Sequence, residues 1–252
     1  MILTLEEVLK GKALVIKDNE YFPTKGYVEP FIERMSKFTS EFTCQVKLPD
    51  TMTKDQDILD QGFVRVWVQA ILPDEYAFEN HKQSVSLLYA LDTRKPIVKL
   101  FKSTINMACL NMCVFNPEHL FVDQLLPQKA INFKFIQNVM EMTDNTRMML
   151  EKYEKTYLTK DNVLTQLGTW VDRCIKTTYD NGYNKVKLAE SIPVEAYKSV
   201  FLDKESKYYC GESDPTYFDI YNAFTDPISN DKGKDIVNKF GKTYLVSEIL
   251  GI

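Results

Sequence analysis

Hydrophobic residues recur at helical spacing in two stretches near the N-terminus. Leu3–Leu9 predicts a short helix that ends at Gly11. Tyr27–Phe38 predicts a longer helix, because five apolar positions repeat every three or four residues: Val28, Phe31, Ile32, Met35 and Phe38. The N-terminal region is therefore predicted to be helical before any strand begins.

The period then changes to an alternation of apolar and polar residues, which is typical of half-buried strands. Four segments show it: Phe42–Leu48, Phe63–Leu72, Ser84–Leu91 and Pro96–Phe101. Turn-forming residues separate two of these pairs, at Pro49-Asp50 and at Asp92-Thr-Arg-Lys. This part of the chain is predicted to form a meander of four or five strands.

Helical periodicity returns after Pro127 and continues to the end of the chain. Five segments are predicted helices: Ile131–Tyr157, Asp161–Thr178, Val194–Leu202, Pro215–Thr225 and Lys234–Leu250. The predicted class is α+β, with an N-terminal antiparallel or mixed sheet of four to five strands and long helices in the C-terminal half. We expect a single domain over residues 1–252, with a strand-rich half at about 27–126 and a helix-rich half at about 127–252.

Composition narrows the class of protein. The chain has 252 residues, a net charge of −4 and only 9 glycines, which argues against a glycine-dependent nucleotide fold. Its five cysteines are odd in number and scattered, and no Asn-x-Ser/Thr triplet occurs. Glu6 and Glu7 stand where a signal peptide carries cations, and no apolar window is long enough for a membrane span. We expect a cytoplasmic protein without a membrane partner.

One stretch, Thr93–Pro117, contains no acidic residue although the chain has 35 of them. It begins with Arg94, Lys95, Lys99 and Lys102. Strand geometry puts Lys95, Ile97, Lys99 and Phe101 on one face, and Pro96, Val98, Leu100 and Lys102 on the other. The first face combines cations with an aromatic ring, which suits phosphate contacts and base stacking. The alternative is a solvated face whose lysines protect a sheet edge against aggregation.

The apolar run Ile105–Phe115 completes this stretch and is predicted to be core. Cys109 and Cys113, with His119 after them, have a spacing that a metal site can use, but no second cysteine pair completes it. We therefore interpret the two cysteines as buried packing residues. The sequence predicts no metal site and no cofactor.

Catalytic motifs are absent from the sequence. Gly241-Lys-Thr243 resembles the end of a phosphate-binding loop, but Ile236 stands where that motif needs a glycine. His81 and His119 are the only histidines, and neither belongs to a nucleophile motif. We assign no catalytic residue, and the balance is against an enzyme.

Aromatic residues are dense in the C-terminal third. Tyr217, Tyr221 and Phe224 share one face of a predicted helix. Tyrosine-rich faces act as hot spots in protein interfaces. The alternative is a core face whose hydroxyl groups reach the surface.

Three segments in order resemble one family: Tyr89–Arg94, then Ile105–Asn116, then Tyr217–Asp226 with its Asn-Ala-Phe-Thr sequence. The order is similar to that of the phage and plasmid proteins grouped as domain of unknown function 932. The resemblance implies a mobile-element origin, and in a phage-encoded protein the compartment would be the host cytoplasm. It implies no catalytic residues.

Our first hypothesis is a non-enzymatic nucleic-acid-binding accessory protein that acts on single- or double-stranded DNA in replication, recombination or strand protection. Cations of the basic stretch, Arg94, Lys95, Lys99 and Lys102, would contact phosphates, and Phe101 or Trp67 would stack on bases. The alternative is a protein-interaction role through Tyr217, Tyr221 and Phe224, as an inhibitor of a host defence complex, a virion component or a homo-oligomer. A metal-dependent nuclease with scattered carboxylates is the third hypothesis.

Overall fold

The computed structural model describes residues 2–11, 14–16, 19–21, 24–48, 63–78, 81–91, 97–106, 111–113, 121–124, 139–180, 185–231 and 236–251. Within these ranges the strands are β1 Ile2–Leu3, β2 Leu14–Ile16, β3 Asn19–Tyr21, β4 Glu41–Lys47, β5 Arg65–Ile71, β6 His81–Ala90, β7 Ile97–Asn106, β8 Asn111–Cys113, β9 Phe121–Gln124, β10 Tyr179–Asp180 and β11 Lys185–Val186. The helices are α1 Leu5–Leu9, α2 Glu29–Met35, α3 Val139–Lys155, α4 Lys160–Lys176, α5 Ile192–Phe201, α6 Tyr217–Ser229 and α7 Ile236–Leu250. The predicted α+β class is confirmed, with an antiparallel sheet first and helices in the C-terminal half.

The chain divides into two compact units. Unit 1 consists of Met1–Ala77, Lys82–Ser103 and His119–Met142, and unit 2 consists of Phe78–His81, Thr104–Glu118 and Thr143–Ile252. The division differs from the two halves expected from the sequence, because short segments from the strand-rich region belong to unit 2. The expected single domain remains a prediction.

Unit 1 is built on an antiparallel sheet with the strand order β1-β4-β5-β6-β7, and β9 pairs with β7. All four strands expected from alternation are present, as β4 to β7. The register between β4 and β5 places Cys44 opposite Val68. The next register places Val68 opposite Leu87 of β6, so these apolar side chains lie on one face of the sheet.

The core of unit 1 lies on that apolar face. Helices α1 and α2 contribute Val8, Phe31 and Met35, which are fully buried. Thr4 caps α1 in a capping box with Glu7, as its hydroxyl accepts from the Glu7 N–H and the Glu7 carboxylate accepts from the Thr4 N–H. The predicted helix at Tyr27–Phe38 is confirmed as α2, which is shorter than expected and follows a π-helical turn at Thr24–Val28.

Unit 2 is mainly helical, and α3 to α7 correspond to the five helices predicted after Pro127. Its core joins buried side chains from these helices: Leu150, Val163, Trp170, Cys174, Ala196, Val200, Phe218, Tyr221, Phe224, Leu245, Val246 and Ile249. Thr216 caps α6 in a second capping box, with Asp219. Helix α6 continues past the predicted end at Thr225, through Pro227, to Ser229.

Candidate functional site

The basic strand predicted from the sequence is β7, and its two described cations lie on opposite faces. Lys99 and Lys102 are three residues apart in a continuous strand, so their side chains leave it in opposite directions. Arg94 and Lys95 lie outside the described residues, as does the Phe101 side chain. The predicted set is thereby reduced to Lys99, Lys102 and Trp67.

The expected exposure of the phosphate-binding residues is wrong for all three. Lys99 is 4% exposed, Lys102 is 6% exposed and Trp67 is 2% exposed. The reason is the position of β7, which is paired on both sides and forms an inner strand of the sheet. Alternation of lysines with apolar residues is the same in a solvated edge strand and in an inner strand with a covered polar face. Direct contact of these side chains with a nucleic-acid backbone is therefore not favoured.

Lys102 lies on the same face of β7 as the core residues Val98 and Leu100. Burial disfavours the charged ammonium group and lowers the pKa of Lys102 to about 8. A lysine in this position costs stability at neutral pH, which is unusual for a residue that only shields a sheet edge.

The opposite face of the sheet carries a chain of hydrogen bonds across four strands. The Thr43 hydroxyl on β4 donates to Gln69 Oε1 on β5 over 3.4 Å. Gln69 Nε2 donates to Ser84 Oγ on β6 over 2.9 Å and to Ser103 Oγ on β7 over 3.4 Å. The Ser84 and Ser103 hydroxyls are 2.8 Å apart, and Ser84 Oγ also donates to the Ser103 carbonyl oxygen. We call Thr43, Gln69, Ser84 and Ser103 the polar ladder.

Charged and aromatic residues share the face of the polar ladder. The strand registers place Lys47 opposite Arg65, Trp67 opposite Leu88 and Gln69 opposite Ser86. Lys99 also lies on this face, because it is four residues before Ser103 on the same strand. The predicted grouping of a cation with an aromatic ring on one face therefore exists, but as a buried face. Ser86 Oγ is buried there and has no hydrogen-bond partner among the described residues.

The predicted interaction face on α6 belongs to the core. Tyr221 and Phe224 are fully buried, and Tyr217 is half-buried. Phe224 packs edge-on against Trp170 of α4, with the ring centroids 5.6 Å apart. Burial of Tyr221 and Phe224 agrees with the alternative of a core face, and the interaction role stays a prediction that this burial does not favour.

Asp226 is the centre of a polar cluster on unit 2. Asp226 Oδ1 on α6 accepts hydrogen bonds from Lys207 Nζ, from the Tyr208 hydroxyl over 3.1 Å and from Asn230 Nδ2 over 3.0 Å. The Lys207 ammonium also lies 5.0 Å from the centroid of the Tyr208 ring. One carboxylate thus fixes the loop before α6 to the helix, which is a structural role. Nothing in the spacing of these residues signals that they meet.

His81 is buried in unit 2 beside a carboxylate. Its Nδ1 atom lies 3.7 Å from Glu154 Oε1, and Phe218 packs edge-on against the imidazole at 4.3 Å between centroids. The separation is too long for a hydrogen bond, so the pair becomes an ion pair only when His81 is protonated. Buried against an aromatic ring, His81 has the surroundings of a packing residue rather than of an accessible general base.

Helix α4 exposes apolar residues on unit 2. Leu164 is 52% exposed and Ile175 is 46% exposed. Gly168 lies between them, also exposed, and a Cβ atom at Gly168 would meet nothing within 4 Å. Both residues fit the apolar spacing of the predicted helix Asp161–Thr178, which gives no reason to expect them at the surface.

In the described parts of the chain, no group of three or more His, Cys, Asp or Glu side chains is arranged to hold a metal ion. The described helices include none that is long and apolar enough to cross a membrane. Cys109, Cys113 and His119, weighed as metal ligands on their spacing, fall outside the described side chains.

Comparison with known proteins adds no relative. No protein-family model matches the chain, and no curated protein and no solved structure matches it either. The resemblance to domain of unknown function 932 therefore remains a prediction from short motifs.

Proposed function

We propose that this chain is a non-enzymatic accessory protein that acts by binding another protein molecule. The observation that carries the proposal is the exposed apolar surface of α4, at Leu164 and Ile175. The tyrosine-rich face considered from the sequence is core, so the proposed surface moves from α6 to α4. A phage or plasmid origin, as the motif resemblance implies, fits this role but does not carry it.

The hydrophobic effect gives this surface its binding energy. Leu164 and Ile175 each keep about half of their area in water, and covering that area is worth about 1 kcal/mol for each side chain. Gly168 has no side chain to hold a partner away, so a helix or strand can approach the α4 backbone closely. Exposed aliphatic residues around a flat centre of this kind suit a protein partner better than a charged polymer.

The test is association measured on matched variants. We expect the wild-type chain to form a stoichiometric complex, with itself or with another protein, in light scattering after size exclusion. Leu164→Glu and Ile175→Glu are expected to weaken that complex about tenfold or more, because each places a charge in an apolar contact. Thr169→Glu, at an exposed position on another side of α4, serves as the control. A chain that stays monomeric and forms no complex with any protein contradicts the proposal.

Nucleic-acid binding is the second candidate, and one observation favours it. The polar-ladder face carries Lys47, Arg65, Lys99 and Trp67, of which Arg65, Lys99 and Trp67 are buried, so Lys47 is the residue of this face that a phosphate group can reach. Lys47 is half-buried and is the most accessible of these cations. We expect Lys47→Ala to lower the affinity for single-stranded DNA and to reduce the salt slope by about one. If single- and double-stranded DNA and RNA all migrate unchanged in an electrophoretic mobility-shift assay at low salt, this candidate is rejected.

A further inference from the structure

We draw no further inference here: the strongest candidate, the exposed apolar surface of helix α4 at Leu164 and Ile175, carries nothing beyond the proposed function, because nothing in the structure shows what covers it.

Discussion

Ser84 Oγ and Ser103 Oγ lie 2.8 Å apart between two central strands, and both hydroxyl groups are buried. Gln69 Nε2 donates to both, so the three side chains satisfy one another within the sheet of unit 1. Removing one member leaves its neighbours buried without a full set of partners. The loss costs more than the hydrogen bond itself is worth.

We predict that Ser84→Ala lowers the free energy of unfolding by about 1 to 3 kcal/mol. Ser103→Ala should lower the free energy of unfolding less in the Ser84→Ala protein than in the wild type. A double-mutant cycle from urea unfolding should give a coupling energy of about 0.5 kcal/mol or more. Thr43→Ala, at the exposed end of the polar ladder, is the control and should change stability by about 0.5 kcal/mol. Additive effects of the two serine substitutions would contradict the coupling.

Lys99 is the residue for which sequence and structure lead to different experiments. As a surface cation it would tolerate Lys99→Glu, and only binding would change. As a residue that is 4% exposed, it should destabilise unit 1 by about 3 kcal/mol or more when its charge is reversed in place. Lys37→Glu, an exposed charge reversal in the same unit, should leave the urea midpoint almost unchanged. A Lys99→Glu protein with the stability of Lys37→Glu would show that the side chain is accessible.

The elements were predictable because their signals are local. The spacing of Phe31, Ile32 and Met35 determines a helix whatever it packs against, and the alternation in β5 determines a strand in the same way. Burial of a strand face is different, because it depends on which strands and helices pack around it. Lys99 alternates with apolar residues in an inner strand as it would at an edge, and the sequence gives no sign that β9 pairs beside it.

The burial of Tyr221 and Phe224 could not be predicted from the sequence, for the same reason. Helical periodicity correctly placed both on one face of α6, but periodicity does not show whether a second helix covers that face. Trp170 of α4 does so, through an edge-on contact with Phe224. Conversely, Leu164 fits the apolar spacing of the predicted helix Asp161–Thr178, and only the packing of unit 2 shows that it is exposed.

Lys102 should make the stability of the protein rise between pH 8 and 10.5. Burial lowers its pKa to about 8 from 10.5, so in this window the unfolded chain holds a proton that the folded chain has released. The free energy of unfolding therefore increases with pH across this window. Below about pH 8 the buried ammonium group is charged and lowers that free energy by its full amount. Lys102→Met should therefore raise the unfolding free energy at pH 7 by about 2 kcal/mol, and by less at pH 10.5.

The measurement for Lys102 is the difference between Lys102→Met and wild type in urea unfolding at pH 7, 9 and 10.5. A difference is needed because buried thiols act in the opposite direction. Burial raises the pKa of Cys44 and of Cys174 to about 11, so both lower the stability as the pH rises from 9 to 11. The thiols are common to both proteins and cancel. A difference that stays constant with pH would show that Lys102 keeps its ordinary pKa.

Two helical glycines should respond in opposite directions to the same substitution. Gly168 in α4 is exposed, with nothing within 4 Å of a Cβ atom, so Gly168→Ala should stabilise the helix by about 1 kcal/mol. Gly241 in α7 is buried, and a Cβ atom there would lie 2.9 Å from Tyr179 Cδ1. The Tyr179 ring also packs against Tyr244, at 4.8 Å between centroids, which limits its freedom to move away.

Gly241→Ala should therefore lower the free energy of unfolding by about 1 to 2 kcal/mol, because the strain of overpacking exceeds the gain in helix propensity. Thermal and urea unfolding of both variants at the same low protein concentration measure the two effects. Each protein serves as the control for the other, since both changes add one methyl group within a helix of unit 2. Equal stabilisation by both substitutions would mean that the Tyr179 ring moves away from the added methyl group. The packing of α7 against β10 would then be looser than the 2.9 Å between that Cβ position and Tyr179 Cδ1 implies.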